Sequence, residues 1–494
     1  MERIKAAILC FPLVASLIFF GCAPSQAEKP NVLFIAVDDL RPELGCYGND
    51  LIKTPNLDKL ASEGCVFTHH FAAVPTCGAS RYGLLTGLRP RTRVEIGNEA
   101  IRHMLSSKPE TEIPETFIHL LKQNGYTTIG IGKIGHYPDG LLYGYEEQPG
   151  TERELPHSWD EMLFDAGKWG TGWNAFFAYA DGSNRQSRSK NVRPYEDAPV
   201  NDNGYPDGLT ADMAVEKLRE LSVQQGPFFL GVGFFKPHLP FNAPQKYWDL
   251  YEESDIPVTP SNSLPENVNR ASLHPSTELN QYRFGEEKAS LDHPVSDKYA
   301  RKLRHAYFAC VSYVDAQIGR ILDELDRQGL SHNTIVVIWG DHGWHLGDHL
   351  VWGKHTIFER SLKSVLIFKV PESGNRGMLH DQVISTLDIY PTLLDLCGIE
   401  LPHATDGRSF SRLLREGGDN TWENLAYSYF RNGISLRTKR YRLTKYFRED
   451  MPAIELYDHA QDPFEDHNIA GEFPEIVERL MPLLERGDTG LYWK

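Results

Sequence analysis

The chain has 494 residues, with 51 lysines and arginines against 67 aspartates and glutamates, which gives a formal net charge of −16. Apolar residues make up 41% and charged residues 24%, an ordinary globular composition that excludes a disordered or fibrous chain. The acidic balance excludes a general nucleic-acid binder, because no basic block is present to neutralise phosphates. Seven cysteines are too few for a disulfide scaffold, although pairing among Cys46, Cys65, Cys310 and Cys397 stays open.

Residues 1–27 predict a signal peptide. Arg3 and Lys5 precede an apolar run at positions 6–20, which is too short for a comfortable membrane span. Two endings compete: Gly21-Cys22 resembles a bacterial lipobox, where Cys22 would carry lipid, and residues 25–27 form a small-x-small cleavage site. We favour ordinary cleavage, and therefore expect export to the periplasm or the medium. Membrane attachment is expected only if Cys22 is lipidated.

Buried strands alternate with helical segments along the next part of the chain. Continuous apolar runs predict strands at Asn31–Val37, Thr127–Gly132, 228–235, 334–339 and 365–370. Helical patterns and their caps predict helices at Pro55–Glu63, 114–124, 212–224 and 297–330. Such alternation predicts an α/β fold, with a large and mostly parallel sheet sandwiched by helices.

Three further stretches differ from this alternation. Residues 145–207 and 252–296 are polar and rich in turn-forming residues, and loops of this length are usually functional rims or small insertions. From about residue 420, short strand patterns are spaced like an antiparallel meander, followed by a helix at Pro474–Glu485. We therefore predict a catalytic domain at 28–418 and a small antiparallel-sheet subdomain at 419–494.

Acidic residues follow two of the predicted strands directly. Asp38 and Asp39 follow the first strand, and Asp341-His342 follow the strand at 334–339. Ligands bind at the carboxyl ends of strands in open α/β sheets, and hard divalent cations prefer oxygen ligands. The two pairs therefore predict a shared metal ion. Three nearby histidines make a zinc cluster the rival interpretation, although we interpret them as loop residues: His345, His349 and His355.

The pentapeptide Cys77-Gly78-Ala79-Ser80-Arg81 lies at the start of a predicted helix. Free backbone N–H groups there create a positive field around Cys77, and Arg81 lies one turn along the same face. An anion-binding helix start and a buried structural cysteine are equally good interpretations of the pentapeptide alone.

Cationic or titratable side chains follow three strand ends. They occur as Lys133 with His136, Lys236 with His238, and Lys354 with His355. Any one of them fits a solvated loop, and Lys236 fits a structural role equally well. Three cationic pairs and two acidic pairs at one sheet edge predict a metal-bearing, anion-binding pocket.

Several longer motifs resemble the type I sulfatases of the alkaline-phosphatase-like superfamily, in particular the iduronate-2-sulfatase-like branch. They are NVLFIAVDDLRPELGCYG at 31–48, TPNLDKLA at 54–61, CGASR at 77–81, GIGKIGH at 130–136, FFKPHLPF at 234–241, GDHGWHLGDH at 340–349 and ELYDHAQDPFEDHNIA at 455–470. The resemblance runs from about residue 31 to residue 470. It implies the alkaline-phosphatase-like fold, with a small C-terminal antiparallel-sheet subdomain.

The resemblance implies that a maturation enzyme converts Cys77 to formylglycine, whose hydrated aldehyde attacks sulfur in place of a thiol. It further implies a Ca²⁺ ion held by Asp38, Asp39, Asp341, His342 and the modified Cys77. Many family members carry Asn where this chain has His342, and Pro where it has Ala79. Imidazole is a less usual Ca²⁺ ligand, so the identity of the metal is left open.

The resemblance assigns roles to five further residues. Arg81 would anchor the modified residue, and Lys133 and Lys354 would hold sulfate oxygens. His136 would lie beside the formylglycine, and His238 would protonate the leaving alkoxide.

The predicted function is hydrolysis of sulfate esters on a sulfated oligo- or polysaccharide, such as a 2-O-sulfated uronate, a glycosaminoglycan fragment or ulvan. One rival is a phosphoesterase or phosphonate hydrolase of the same superfamily. The other is a catalytically silent, exported carbohydrate-binding protein with an unmodified Cys77. Residues do not name the sugar, and we expect the loops 145–207 and 252–296 to determine it.

Overall fold

The computed structural model describes residues 29–107, 114–371 and 373–493. At its centre lies an eight-stranded sheet with strands β1 (Asn31–Val37), β2 (Cys65–Phe71), β3 (Thr127–Gly132), β4 (Glu161–Leu163), β5 (Phe228–Phe234), β6 (Thr334–Gly340), β7 (Leu366–Lys369) and β8 (Met378–Ser385). The spatial order is β8-β2-β7-β6-β1-β5-β3-β4. Only β7 runs antiparallel to its neighbours, so the sheet is mostly parallel, as predicted.

Eight helices longer than five residues accompany the sheets of the described chain. They are α1 (Pro55–Glu63), α2 (Cys77–Thr86), α3 (Phe117–Gln123), α4 (Pro206–Leu221), α5 (Asp297–Arg327), α6 (Ile389–Leu396), α7 (Ser411–Glu416) and α8 (Pro474–Glu485). Shorter helices lie at Gly172–Phe176, Gln245–Trp248 and Glu359–Leu362. Two small sheets pair Tyr195–Glu196 with Phe241–Asn242 and His345–Leu346 with Trp352–Gly353.

Strand β1 is buried along its whole length and divides the core into two layers. Its residues Leu33, Ile35 and Val37 pack into one apolar cluster with α1, α4 and α5. The alternate residues pack into a second cluster with α2, α3, α6 and α7 on the other face. Because side chains alternate across a strand, a continuous apolar run is what a strand between two helical layers requires.

The C-terminal part forms a separate antiparallel sheet of β9 (Ala426–Phe430), β10 (Gly433–Arg437), β11 (Tyr441–Tyr446) and β12 (Ile454–Asp458). Helix α8 packs on it through Leu480 and Leu484. Strand β9 also holds the chain just before α2, because Tyr429 N donates to Ala73 O at 2.8 Å and Ser428 Oγ donates to Ala72 O at 2.7 Å. The predicted boundary between residues 418 and 419 stays a prediction.

The predicted fold class is confirmed, although strands β2, β4 and β8 were not predicted and some helix ends differ from the prediction. Helix α3 begins at Phe117 rather than at 114, because the Thr116 side chain accepts the His119 N–H and caps the helix. Helix α4 begins at Pro206, six residues before the predicted start, and ends at Leu221. Helix α5 ends three residues before the predicted end, at Arg327.

The structure answers the open question of disulfide pairing but does not reach the N-terminal segment. The five described cysteines all carry free thiols, so the described residues contain no disulfide. None of the described helices has the length and apolar character needed to cross a membrane. The signal peptide 1–27 and Cys22 lie outside the described residues.

Candidate active site

Three carboxylates meet at the carboxyl ends of the adjacent central strands β1 and β6. Asp38 and Asp39 follow β1 and Asp341 follows β6, and all three side chains are fully buried. Asp39 adopts a positive φ of 62°, and its peptide N–H donates to Asp341 Oδ1 at 3.0 Å. One oxygen from each carboxylate lies within 4.8 Å of the others. The predicted convergence of the two acidic pairs is therefore present.

Three cations surround these carboxylates. Arg81 Nη2 lies 3.1 Å from both Asp38 Oδ1 and Asp341 Oδ2. Lys133 Nζ lies 3.2 Å from Asp38, and Lys354 Nζ lies 2.9 Å from Asp39 Oδ1. Each carboxylate is thus paired with a cation from another strand end or from α2.

These pairs stabilise the charge of Asp38 but not that of Asp39. Burial raises the pKa of Asp39 well above its ordinary value, although the Lys354 ammonium opposes this. Burial also acts to raise the pKa of Asp38, but Lys133 and Arg81 hold it well below its ordinary value. Among the residues that the structure describes, Asp38 Oδ2 accepts no hydrogen bond, and its cationic neighbour is Lys133 Nζ at 3.2 Å. A buried carboxylate oxygen that accepts no hydrogen bond, in an oxygen-rich cluster, fits a hard divalent cation.

Cys77 is the first residue of α2 and its side chain is only 4% exposed. Its Sγ lies 3.4 Å from His342 Nε2 and 3.4 Å from Lys354 Nζ. Burial and the nearby Asp38 charge raise the pKa of the thiol to about 12. The unmodified thiol is therefore protonated at neutral pH, which makes it a poor nucleophile.

The remainder of the pentapeptide fixes α2 against the sheet. Ser80 Oγ donates to Asp341 O at 2.5 Å, and Ala79 packs against the C-terminal sheet. A Cβ at Gly78 would lie 2.0 Å from Asn98 O, so only glycine fits there. These contacts hold Cys77 at the edge of the carboxylate cluster.

His342 contacts both the thiol and the carboxylates. Its Nδ1 lies 3.4 Å from Asp39 Oδ1 and its Nε2 lies 3.7 Å from Asp341 Oδ2. The residue predicted as the fourth protein ligand is therefore placed beside two of the three acids.

A cavity of about 600 Å³ reaches Cys77, and both His136 and His238 lie on its wall. Burial and the Lys133 charge lower the pKa of His136 well below its ordinary value. His238 Nδ1 lies 2.7 Å from Leu239 O, so this nitrogen carries a hydrogen and donates a hydrogen bond to the carbonyl. Burial and the Lys354 charge lower the pKa of His238.

Lys236 points to backbone oxygens rather than to the carboxylates. Its ammonium donates to His238 O at 3.0 Å and to Pro240 O at 2.6 Å. The structural interpretation of this residue fits these contacts, because they hold the loop that carries His238.

Glu278 is a site residue that the sequence did not reveal. It comes from the polar stretch 252–296, and its Oε1 lies 3.1 Å from His238 Nε2 while its Oε2 lies 3.8 Å from Lys354 Nζ. Burial acts to raise its pKa, but Lys354 and His238 hold that pKa well below its ordinary value. No spacing or motif marks this loop glutamate in the sequence.

The rival zinc site is not supported. His345 bonds to Thr356 Oγ1 at 2.9 Å and to Asp348 O at 3.1 Å. His349 lies 3.4 Å from Asp466, and His355 stacks on Phe430 beside the cavity. Among the described residues, none of the three belongs to a group whose ligand atoms converge on a metal position.

Comparison with known proteins gives a consistent assignment. A family model described as Sulfatase matches residues 30–399, and a second, described as N-sulphoglucosamine sulphohydrolase, C-terminal, matches residues 347–487. A protein named Sulfatase from Formosa agariphila is 33% identical, over 95% of this chain and 88% of that protein. Iduronate 2-sulfatase from Homo sapiens is 29% identical, over 93% of this chain and 95% of that protein.

A solved structure shows the same fold. It is a phosphonate monoester hydrolase of Agrobacterium radiobacter, with a TM-score of 0.73 and 23% sequence identity, covering 93% of this chain and 96% of that one. At this identity the likeness concerns the fold alone.

Proposed function

Because the chain belongs to the sulfatase family and hydrolyses sulfate esters, we propose that it is an exported enzyme that desulfates a sulfated carbohydrate, with Cys77 as formylglycine and Ca²⁺ beside it. The observation that carries the proposal is the position of Cys77. Its side chain lies between three converging carboxylates and the cations that face a cavity of about 600 Å³.

The protonation state of the thiol supports the modification. A thiol whose pKa is raised to about 12 supplies almost no thiolate at neutral pH. Formylglycine, once formed, supplies a hydrated aldehyde with a hydroxyl nucleophile at the same position. The Cys77 peptide must then be recognised by a maturation enzyme, which becomes a required partner.

Asp38, Asp39, Asp341 and His342 would hold the Ca²⁺ ion. Bound there, the ion supplies positive charge that neutralises sulfate oxygens. Asp38 Oδ2, which accepts no hydrogen bond, and the raised pKa of Asp39 are both consistent with an additional cation at this position.

The protein's own side chains position the sulfate group. Lys133 and Lys354 line the cavity with their ammonium groups beside the carboxylates, where they can bind sulfate oxygens as charge concentrates on them. Arg81 makes no contact with the cavity and instead ties Asp38 to Asp341. Its role is therefore to fix the cluster on which Cys77 depends.

His238 is placed to move a proton. Its Nδ1 is committed to Leu239 O, so Nε2 is the atom that exchanges a proton with the leaving oxygen. Glu278 Oε1 favours a proton on Nε2, whereas burial and Lys354 oppose it. The ring packs on Phe176 at 4.5 Å between centroids, which excludes water from one side.

Two measurements on the purified protein test the proposal. Mass spectrometry of the peptide that carries Cys77 should show formylglycine in place of cysteine. Hydrolysis of 4-nitrophenyl sulfate should then exceed that of 4-nitrophenyl phosphate. An unmodified Cys77 in fully active enzyme contradicts the nucleophile, and faster phosphate hydrolysis favours the phosphoesterase alternative.

A sulfated sugar panel tests the substrate class. It should contain oligosaccharides with 2-O-sulfated uronic acid and with sulfated rhamnose, each compared with the aryl sulfate. Export is tested separately, by locating the protein in cell fractions with and without residues 1–27.

A further inference from the structure

Arg185 is a buried cation that the catalytic cluster does not use. It belongs to the polar stretch 145–207, its residue is only 4% exposed, and it lines the same cavity as Cys77. Its Nε is buried with no hydrogen-bond partner, and no carboxylate of the described residues lies within 4.0 Å of its guanidinium. By contrast, Lys133 and Lys354 in this cavity are ion-paired with aspartates.

Aromatic rings contact the face of this guanidinium. Its Cζ lies 3.7 Å from the centroid of the Phe177 ring and 5.5 Å from that of Tyr282. Stacking stabilises a cation through its face and leaves the N–H groups on its edge free to bind an acceptor. A buried charge is costly unless its hydrogen-bonding groups are paired, and the Arg185 Nε–H has no such partner among the described residues.

The backbone around Arg185 is held in place. Arg185 N donates to Phe177 O at 3.2 Å, and Lys190 N donates to Arg185 O at 2.8 Å. An isolated bridge joins Ala178 to Asn184 just before it. The guanidinium is therefore pre-organised, which reduces the entropy lost when it binds a ligand.

The position of Arg185 relative to the catalytic residues limits which part of a substrate it can contact. The Phe177 ring is a neighbour of both Arg185 and His238, with its centroid 3.7 Å from Arg185 Cζ and 6.4 Å from the centroid of the histidine ring. Arg185 and the residue placed at the leaving oxygen thus share one aromatic neighbour and one cavity. A group bound at Arg185 belongs to the same sugar as the cleaved sulfate or to the adjoining sugar.

We propose that Arg185 forms a second anion site, which binds a carboxylate or a second sulfate group of the substrate while the first sulfate lies at Cys77. The planar guanidinium fork matches both groups in a bidentate arrangement. The inference rests on the proposed function and narrows its substrate class to sugars with two anionic groups. Arg185 is a specificity residue in this scheme.

Competition experiments on the mature enzyme test the site. The inhibition constant Ki against hydrolysis of 4-nitrophenyl sulfate is measured for a 2-O-sulfated uronic acid methyl glycoside. It is measured also for the C6 methyl ester of this compound, which keeps the sulfate but has lost the carboxylate charge. A second pair compares a disulfated hexose glycoside with the corresponding monosulfated one. The doubly anionic member of at least one pair should show a Ki lower by about tenfold or more, the size of one charge-assisted contact. The pair that responds identifies the carboxylate or the sulfate.

Substitutions assign the effect to Arg185. In Arg185→Met, the Ki of the singly anionic inhibitor divided by that of the doubly anionic one should fall to near one. Arg185→Lys should retain part of the difference, because a lysine keeps the charge but cannot make the bidentate contact of a guanidinium. Arg188→Met is the matched control, since Arg188 is a half-exposed arginine paired with Asp181 on the same loop, and its ratio should equal that of wild type.

The outcomes separate the two proposals. Equal Ki values in both pairs, while wild type hydrolyses 4-nitrophenyl sulfate, overturn the second anion site alone. A ratio that survives in folded Arg185→Met also overturns it. Absence of any sulfate hydrolysis by wild type overturns the proposed function, and this site with it. The wild-type comparison needs no variant, so it stands even if Arg185→Met fails to fold.

Discussion

This protein has two buried clusters of acidic and basic side chains. They differ in how the negative and positive groups are arranged, and therefore in the pKa values of their carboxyl groups. In the first, the catalytic cluster, Asp38, Asp39 and Asp341 gather their oxygens within 4.8 Å, and the cations lie around them. In the second, the glutamate–arginine cluster, Glu359 and Glu465 alternate with arginines of the C-terminal sheet. Arg442 pairs with both glutamates, and Arg437 Nε lies 3.0 Å from Glu359 Oε2.

The electrostatic consequences differ accordingly. Burial acts to raise the pKa of Glu465, but Arg442 and His459 lower it to about 2. Burial instead prevails at Asp39, whose pKa is raised well above its ordinary value. Ligand-atom spacing does not separate the clusters, because Glu359, His459 and Glu465 also lie within 4.8 Å of one another. Where acidic and basic side chains alternate, each charge is balanced by a neighbour of opposite sign. Where the carboxylates are gathered together, as in the catalytic cluster, they can bind a further cation.

The largest expected effect comes from the nucleophile. Cys77→Ala should reduce turnover by about 10⁴-fold or more, because removal of a nucleophile disables the whole catalytic unit. Cys46→Ala, at a half-buried thiol away from the cluster, should retain activity. Steady-state kinetics on 4-nitrophenyl sulfate measure both, and residual activity above about a hundredth of wild type in Cys77→Ala contradicts a covalent role.

His238→Ala should reduce hydrolysis of a sulfated oligosaccharide by about 10²–10⁴-fold, the usual contribution of a general acid. A sugar alkoxide is strongly basic and needs a proton as it leaves, whereas 4-nitrophenolate leaves with little help. The loss on the aryl sulfate should therefore be much smaller. Equal losses on the two substrates would show that His238 only binds the sulfate group they share.

Asp39→Asn should remove bound Ca²⁺ and lower activity by about 10²-fold or more, because a metal ion supplies several kcal/mol to the transition state. Glu465→Gln is the matched change in the glutamate–arginine cluster, and it should retain both the bound Ca²⁺ and the activity. Metal content by elemental analysis is measured beside the rate. Full activity in metal-free protein contradicts the assignment of the catalytic cluster.

Arg442→Met should instead act on stability. It leaves two buried glutamates without their shared cation, which should cost about 3–5 kcal/mol of unfolding free energy. Arg412→Met, which breaks an exposed pair with Glu416, should leave the denaturation midpoint almost unchanged. Ca²⁺ content of the folded Arg442→Met protein should equal that of wild type; its loss would show that the two clusters are coupled.

The smallest effect concerns pH. A folded-state pKa of about 2 for Glu465, below the unfolded value of about 4.3, gives stability that is present above pH 4.3 and lost as pH falls towards 2. Wild type should therefore lose unfolding free energy across this window, and Glu465→Gln should lose less. Denaturant titrations at several pH values measure this, and parallel curves for the two proteins would contradict it.

Much of the catalytic cluster was predictable because it lies where strands end. The apolar run Asn31–Val37 is fully buried, and a parallel sheet brings its end beside that of Thr334–Gly340. Strands β2 and β8 were not predicted, since His69, His70 and Asp381 interrupt their apolar pattern. Pairing between the two strands stabilises them instead.

Residues from loops were not predictable as site residues. Glu278 and Arg185 come from stretches whose general role was expected, but no local pattern indicates which of their side chains enter the cavity. Their positions depend on contacts distant in the chain, such as the stacking of Arg185 on Phe177 and the pairing of Glu278 with His238. Helix α4 was predicted too short because its first turn follows Pro206 without apolar periodicity.

The hydrogen bonds from Ser428 and Tyr429 to Ala72 and Ala73 carry a consequence for biosynthesis. The ribosome makes Cys77 long before it makes strand β9, so the chain before α2 stays untethered during most of translation. In the folded chain Cys77 is only 4% exposed and faces the cavity, which leaves little of its peptide accessible to a modifying enzyme. We therefore expect the proposed conversion of Cys77 to precede folding of the last seventh of the protein onto the rest.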